Sequence, residues 1–159
     1  MLDASLLLPT AIDNIFSGRK ASLWFFYVLT AITLWRSQHH LLAADGGAQS
    51  IATIPLDTYS AEASGTVMGI FALWGRSQLV IEIIYLATCL RYKALIPLLY
   101  ALGIIEYGVR AFYIGHYKPI ETMGDAPGAI INIPLTIILI AMLLLSLWRK
   151  DHPERQPFH

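Results

Sequence analysis

TVMGIFALWGRSQLVIEIIYLATCL (66–90), RYK (91–93) and ALIPLLYALGIIEYGVRAFYIG (94–115) form one continuous stretch in which two long apolar runs flank a short polar turn. A bilayer core of about 30 Å is crossed by roughly 20 helical residues at about 1.5 Å rise each, so either run is long enough to span it. A turn as short as Arg91-Tyr92-Lys93 makes the two an antiparallel hairpin. Working outward, residues 128–148 form a third apolar run that closes on Trp148, Arg149 and Lys150, an aromatic-then-cation interface signature. Residues 21–36 form the shortest run, bracketed by Arg19, Lys20 and Arg36, whose long stems can snorkel and lengthen the span. The expectation is an all-α integral membrane four-helix bundle, a single domain over 1–159, with spans near 21–36, 66–90, 94–115 and 128–148. The intervening loops are 37–65 and 116–127.

Composition agrees with that reading: 56% of the residues are hydrophobic, 14% are charged, and the mean hydropathy is +0.57. Eleven Lys+Arg balance eleven Asp+Glu, which leaves no positive surplus for a nucleic-acid backbone. One cysteine, Cys89, excludes an internal disulfide and a thiolate cluster. The first apolar run carries no A-x-A-like cleavage site, so no cleaved leader is expected. No internal repeat is evident.

Arg19, Lys20, Arg91, Lys93, Arg149, Lys150 and Arg155 all fall on one side of this topology, against Lys118 alone on the other, with Arg36 at the border. The positive-inside rule then places both termini in the cytoplasm. The outer loops carry Asp45, Asp57, Glu62, Glu121 and Asp125 with His39, His40 and His116. Ahead of the first span, Leu6, Leu7, Leu8, Ile12, Ile15 and Phe16, with Thr10 and Asp13 at near capping-box spacing, suggest a short interfacial helix. The 37–65 loop is long enough to act as a lid.

Charges inside the spans point to chemistry. Arg76, Gln78 and Glu82 lie in the second span, Glu106, Tyr107 and Arg110 in the third, and Asn132 in the fourth. An unpaired charge at mid-bilayer costs roughly 2.5–3.5 kcal/mol or more, so these groups should face inward and find partners. Counting about 1.5 Å per residue from the inner ends puts Arg76 at roughly 21 Å, Gln78 and Glu106 at roughly 18 Å, and Arg110 and Asn132 at roughly 24 Å, with Glu82 at roughly 12 Å. Helical spacing aligns Gly75, Gln78, Glu82, Tyr85 and Cys89 on one face and Gly103, Glu106, Arg110, Tyr113 and Tyr117 on another. Arg76 borders the first of these faces, within reach of Glu106. Glu106 and Arg110 form an i, i+4 pair in the favourable order. Glu82 has no evident cation and is the candidate proton carrier. Pro134 frees the Ile130 carbonyl close to Asn132 and suggests a kink. Gly65 and Gly69 make a G-x-x-x-G. No H-E-x-x-H, G-x-S-x-G or phosphate loop occurs, and adjacent His39 and His40 project in different directions, so no metal site is expected.

The run Leu73-Trp74-Gly75-Arg76-Ser77-Gln78, the turn Arg91-Tyr92-Lys93 and Glu106-Tyr107 with Arg110 resemble those of small uncharacterised bacterial four-helix membrane proteins, DoxX-like in overall plan, over residues 65–148. That resemblance implies the four-helix fold, a bacterial inner-membrane location and an association with quinone-linked oxidoreductase systems. It carries no catalytic role onto particular residues here.

Three readings follow. In the first, Arg76, Gln78, Glu82, Glu106, Tyr107, Arg110 and Asn132 bind an amphiphilic or anionic small molecule, a quinone among them, in an outward-facing site. In the second, the charges fix assembly of an accessory subunit within a homo-oligomer or a larger membrane complex, such as a quinone-linked oxidoreductase. In the third, Glu82 or Glu106 acts as the acid/base group of a membrane enzyme or a proton-coupled transporter. The sequence names no cofactor.

Overall fold

The computed structural model describes residues 1–149; Lys150 and Arg155, two of the cations counted above toward orientation, lie outside the described residues. Four long helices account for the architecture: α1 (Lys20–Leu42), α2 (Ala61–Leu90), α3 (Ile96–Gly108) and α4 (Pro127–Leu147). α3 continues through a π segment, Val109–Ile114, and a last turn, Gly115–Tyr117. Among the described residues there is no strand, only an isolated antiparallel bridge between Leu2 and Trp148.

The stretches 61–90, 93–117 and 127–147 are long and apolar enough to cross a membrane. α1 is long enough but less apolar, because its buried stripe mixes Ser22, Thr30, Thr33, Ser37 and His40 with Phe26 and Leu29. Trp24, Val28, Ile32 and Trp35 point outward instead. Small and hydroxyl side chains on the packed side of a helix let backbones approach closely. The hydroxyls are satisfied locally: Thr30 Oγ1 donates to the Phe26 carbonyl and Ser37 Oγ to the Thr33 carbonyl, each at 2.8 Å.

α1 packs along α2 and α3 along α4, and α1 also touches α4. The close α2–α3 hairpin contact expected from the short turn is not formed, although the chain does reverse there through a 3₁₀ turn at Lys93–Leu95. Aromatic side chains keep α2 and α3 apart: the Tyr85 hydroxyl donates to the Leu99 carbonyl at 3.0 Å, and its ring stacks on Phe26 of α1. Tyr100, fully buried, donates its hydroxyl to the Ser22 carbonyl at 2.5 Å. α1 and α2 approach closely at Gly75, where an added Cβ would lie 2.7 Å from His40 Cβ and 2.8 Å from the Leu41 nitrogen.

Two connections differ from expectation. α1 runs to Leu42 and α2 starts at Ala61, so the connection between them covers 43–60 rather than 37–65. Ser60 caps α2 by accepting from the Ala63 N–H at 3.3 Å, with Glu62 in the first turn. The N-terminal segment holds a 3₁₀ turn at Ala4–Leu6 and otherwise runs as an irregular strap rather than an interfacial helix. Its backbone instead bonds to neighbouring elements: Asp3 N–H to the Leu147 carbonyl at 2.9 Å, and Arg19 N–H to the Leu145 carbonyl at 3.0 Å. The Ala94 N–H reaches back to the Asp13 carbonyl at 3.2 Å. Pro134 faces outward, and α4 passes through it without interruption.

Candidate functional site

Glu82 anchors the polar layer. It is buried in α2, and Thr33 of α1 donates its hydroxyl to the carboxylate at 2.7 Å. Arg36, one turn further along α1, is close enough for its charge to act on Glu82, and Glu106 of α3 also lies within electrostatic range. The cation that acts on Glu82 thus belongs to the first helix, without forming an ion pair with it among the described residues. Arg36 stands 5.8 Å from the centroid of the buried Tyr107 ring, and its Nε is buried without a hydrogen-bond partner among the described residues.

The Glu106–Arg110 pair forms as the i, i+4 spacing predicts. Arg110 lies in the π segment, and its guanidinium sits 5.0 Å from the Trp74 centroid and 5.2 Å from that of Tyr107. A guanidinium over an aromatic face gains cation–π energy while keeping its in-plane N–H donors free for an anion. π bulges recur at functional sites because they re-aim side chains from the regular phase. Here the bulge explains why the second predicted face fails beyond Gly108. The buried side of α3 is Ile96, Leu99, Tyr100, Gly103 and Tyr107, while Tyr113 and Tyr117 are exposed and Glu106 sits at the edge of that side. On α2 the predicted face holds: Gly75, Gln78, Glu82 and Tyr85 are all buried.

Arg76 is the exception among the predicted groups. Its side chain is exposed on α2, away from Glu106, and the ion pairs of the described residues do not include it. About 100° of helical rotation from Gly75 carries it off the packed side, because that side is closed by α1 lying directly over Gly75. Asn132 is half-buried on α4, where its carbonyl accepts from Thr136 Oγ1 at 2.7 Å. The layer therefore comprises Arg36, Glu82, Glu106, Tyr107 and Arg110, with Gln78 buried beside it on α2.

His40 links the layer to the 43–60 connection. Its ring centroid is 4.7 Å from that of Trp74, and Nδ1 is 2.8 Å from the Gly46 carbonyl, so Nδ1 carries the proton and donates. Gly46 and Gly47 take positive φ of 62° and 73°, which glycine adopts without strain. Asp45 holds that turn by accepting from the N–H groups of Gly47, Gln49 and Ser50 at 2.9, 3.1 and 2.7 Å. Ala48, Ile54 and Leu56 form a small core against Val67, Met68 and Phe71. Thr53 ties the connection to the 118–126 segment, its carbonyl accepting from the Met123 N–H at 2.8 Å. The 43–60 and 118–126 connections thus pack together over this end of the bundle, and an apolar groove of about 230 Å³ opens between Ile54, Tyr59, Phe71 and Ile120. Among the described residues no three His, Cys, Asp or Glu side chains come together as a metal site would require.

Thr33, Arg36, His40 and Trp74 are not among the site residues expected from sequence. The signal that could have found Thr33 and His40 is the stripe Ser22, Phe26, Thr30, Thr33, Ser37, His40, which repeats every three to four residues and continues past the apolar run. Comparison with family models, with curated proteins and with solved structures finds no match for this chain.

Proposed function

We propose that this chain is a four-pass integral membrane protein, both termini cytoplasmic, that holds the anionic end of a small amphiphilic molecule in the Arg36–Glu82–Glu106–Arg110 layer. The observation that carries this reading is Arg36, whose buried Nε has no hydrogen-bond partner among the described residues, in a layer whose second guanidinium, Arg110, pairs with Glu106 and lies over Trp74. A buried, unsatisfied charged donor costs about 1–3 kcal/mol or more, a cost that an anion in that position offsets. Phe71, which lines the outer apolar groove, lies 5.9 Å from both His40 and Trp74 by ring centroids, so a tail in that groove would reach the layer. A quinone or another amphiphile with an anionic or carbonyl end fits this arrangement.

Native mass spectrometry of wild-type protein in mild detergent, against Arg36→Ala and Arg110→Ala, tests it. Loss of a co-purifying small molecule in either variant, with insertion and oligomeric state unchanged, is the expected outcome. An identical small-molecule complement in all three proteins would remove the proposal.

A second reading, an accessory subunit of a larger complex of the DoxX-like, quinone-linked kind, is favoured by Arg76. A guanidinium exposed amid the apolar outer face of α2, above Gly65 and Gly69 with open space over them, is costly against lipid and natural against a protein partner. Co-purification of a partner lost in Arg76→Leu supports this second reading.

A further inference from the structure

The other end of the bundle contains a cleft of about 420 Å³ between the N-terminal strap, the start of α3 and the end of α4. Leu6, Phe16 and Pro97 give it an apolar floor, while Asp13, Lys93 and Arg149 supply its charges. These charges are not equivalent. Arg149 is neutralised by Asp3, with Nη1 at 2.9 Å from Oδ2. Lys93 spends one N–H on the neutral Asn14 Oδ1 at 2.8 Å and keeps two donors. Asp13 accepts the Ile15 N–H on Oδ1 at 2.9 Å and keeps Oδ2. Neither Lys93 nor Asp13 forms an ion pair among the described residues. The cleft therefore offers one cation and one anion, each without an opposite charge of its own.

The strap also places this cleft at a bilayer surface. Leu8, Ile12 and Ile15 are 70%, 59% and 67% exposed, more apolar surface than a short aqueous segment holds without a partner. Arg19 lies 5.1 Å from the Trp148 centroid, the pairing of aromatic belt and cation that marks an interface.

We propose that this cleft binds the headgroup of a zwitterionic phospholipid bearing a primary ammonium, an aminoethyl phosphodiester. Lys93 holds the phosphate with help from the free edge of Arg149, Asp13 Oδ2 accepts the ammonium, and Leu6, Phe16 and Pro97 contact the glycerol end. A headgroup with three N–H donors satisfies Asp13; a trimethylated one has none and is bulkier, and a glycerol headgroup lacks the positive charge. The proposal rests on the membrane reading above and not on the Arg36 layer at the other end.

The test is native mass spectrometry of the full chain in detergent micelles doped with equal phosphatidylethanolamine, phosphatidylcholine and phosphatidylglycerol. Wild-type protein should retain the ethanolamine lipid in about tenfold excess over the other two. Asp13→Asn, which keeps the Oδ1 acceptor and so the turn, should erase that preference, and Lys93→Gln should lower retention of all three. Arg91→Gln, outside the cleft, should change nothing, and Arg110→Ala should leave the preference intact, which separates this site from the layer. Equal retention of the three lipids by wild type, or an undiminished preference in Asp13→Asn, overturns the proposal. Displacement of the lipid by millimolar free phosphoethanolamine would also overturn it, by making the ligand a soluble one.

Discussion

Gly75→Ala is the sharpest test of the packing that builds the layer. An added methyl would sit 2.7 Å from His40 Cβ, 2.8 Å from the Leu41 nitrogen and 2.9 Å from the His40 carbonyl carbon, all of them fixed to the α1 backbone. No rotamer change relieves such contacts, so α1 must retreat toward ordinary separation. Overpacking of this kind costs about 1–3 kcal/mol, toward the upper end where the obstacle is backbone. Replacing a mid-helix glycine by alanine returns up to about 1 kcal/mol of helix propensity. The net expectation is destabilisation by about 2 kcal/mol, roughly a thirtyfold shift in the folded-to-unfolded ratio. Gly69→Ala is the internal standard, since an added Cβ there meets nothing within 4 Å and only the propensity gain remains. Both can be measured by titrating micelle-reconstituted protein with a denaturing detergent and following tryptophan fluorescence. Gly75→Ala equal to wild type would refute the α1–α2 contact and, with it, the route by which Thr33 and Arg36 reach Glu82.

Thr33→Val should cost about 1–3 kcal/mol by leaving the buried Glu82 carboxylate without its 2.7 Å donor, and Thr33→Ser should restore most of it, as read by the same titration. Tyr100→Phe should cost about 0.5–1.5 kcal/mol by removing the buried hydroxyl's bond to the Ser22 carbonyl, which remains in the α1 ladder; stability equal to wild type would contradict that bond. For Asp45, burial opposes ionisation but is outweighed by the backbone N–H groups of Ser50, Gly47 and Gln49 and by the Ser50 hydroxyl, which together hold its pKa down to about 2 against an ordinary 3.8. The folded value is the lower one, so the unfolded turn binds more protons between these values. The contribution is complete above about pH 4 and is lost as pH falls toward 2. Hydrogen exchange of the Gly47, Gln49 and Ser50 amides should therefore accelerate over that interval beyond its intrinsic pH dependence, and Asp45→Asn should abolish the change.

What could be read from the sequence, and what could not, follows the physics of each signal. The runs at 66–90, 94–115 and 128–148 announce themselves because hydrophobicity sums over some twenty residues and tolerates single exceptions. The Glu106–Arg110 pair was equally legible, being fixed by spacing within one helix. Glu82 was legible as buried and wrong only in its company. Its partners belong to α1, whose polar inner stripe makes a hydropathy scan undervalue the helix and end it near 36. Arg76 fails for the complementary reason. One residue of helical rotation separates it from Gly75, and whether that step leads into the bundle or out of it depends on which neighbour closes the packed side. Beyond Gly108 a regular 3.6-residue count could not have succeeded, because the π segment changes the phase at the turn that carries Arg110.

The replacement of Arg76 by Arg36 in the layer alters what the layer can do. With Arg76 and Arg110 the two cations would sit on α2 and α3, and the site would lie in their seam. With Arg36 in that role the charges come from three helices: one cation on α1, one carboxylate on α2, and a cation–carboxylate pair on α3. Formal charge still balances, but the donors do not, since Arg110 is committed to Glu106 while Arg36 shares Glu82 only through space and keeps an unsatisfied Nε. A layer built only to fix helix register would have every donor matched, because a half-satisfied buried network is worse than an apolar core. Register alone therefore does not account for Arg36, and a ligand atom at that nitrogen would complete the network. The same accounting separates the two arginines experimentally. Arg110→Lys keeps the charge beside Glu106 and should weaken ligand retention only as far as the Trp74 stacking matters. Arg36→Lys removes the buried Nε donor that has no partner among the described residues, so it should weaken retention by more even though it retains the charge.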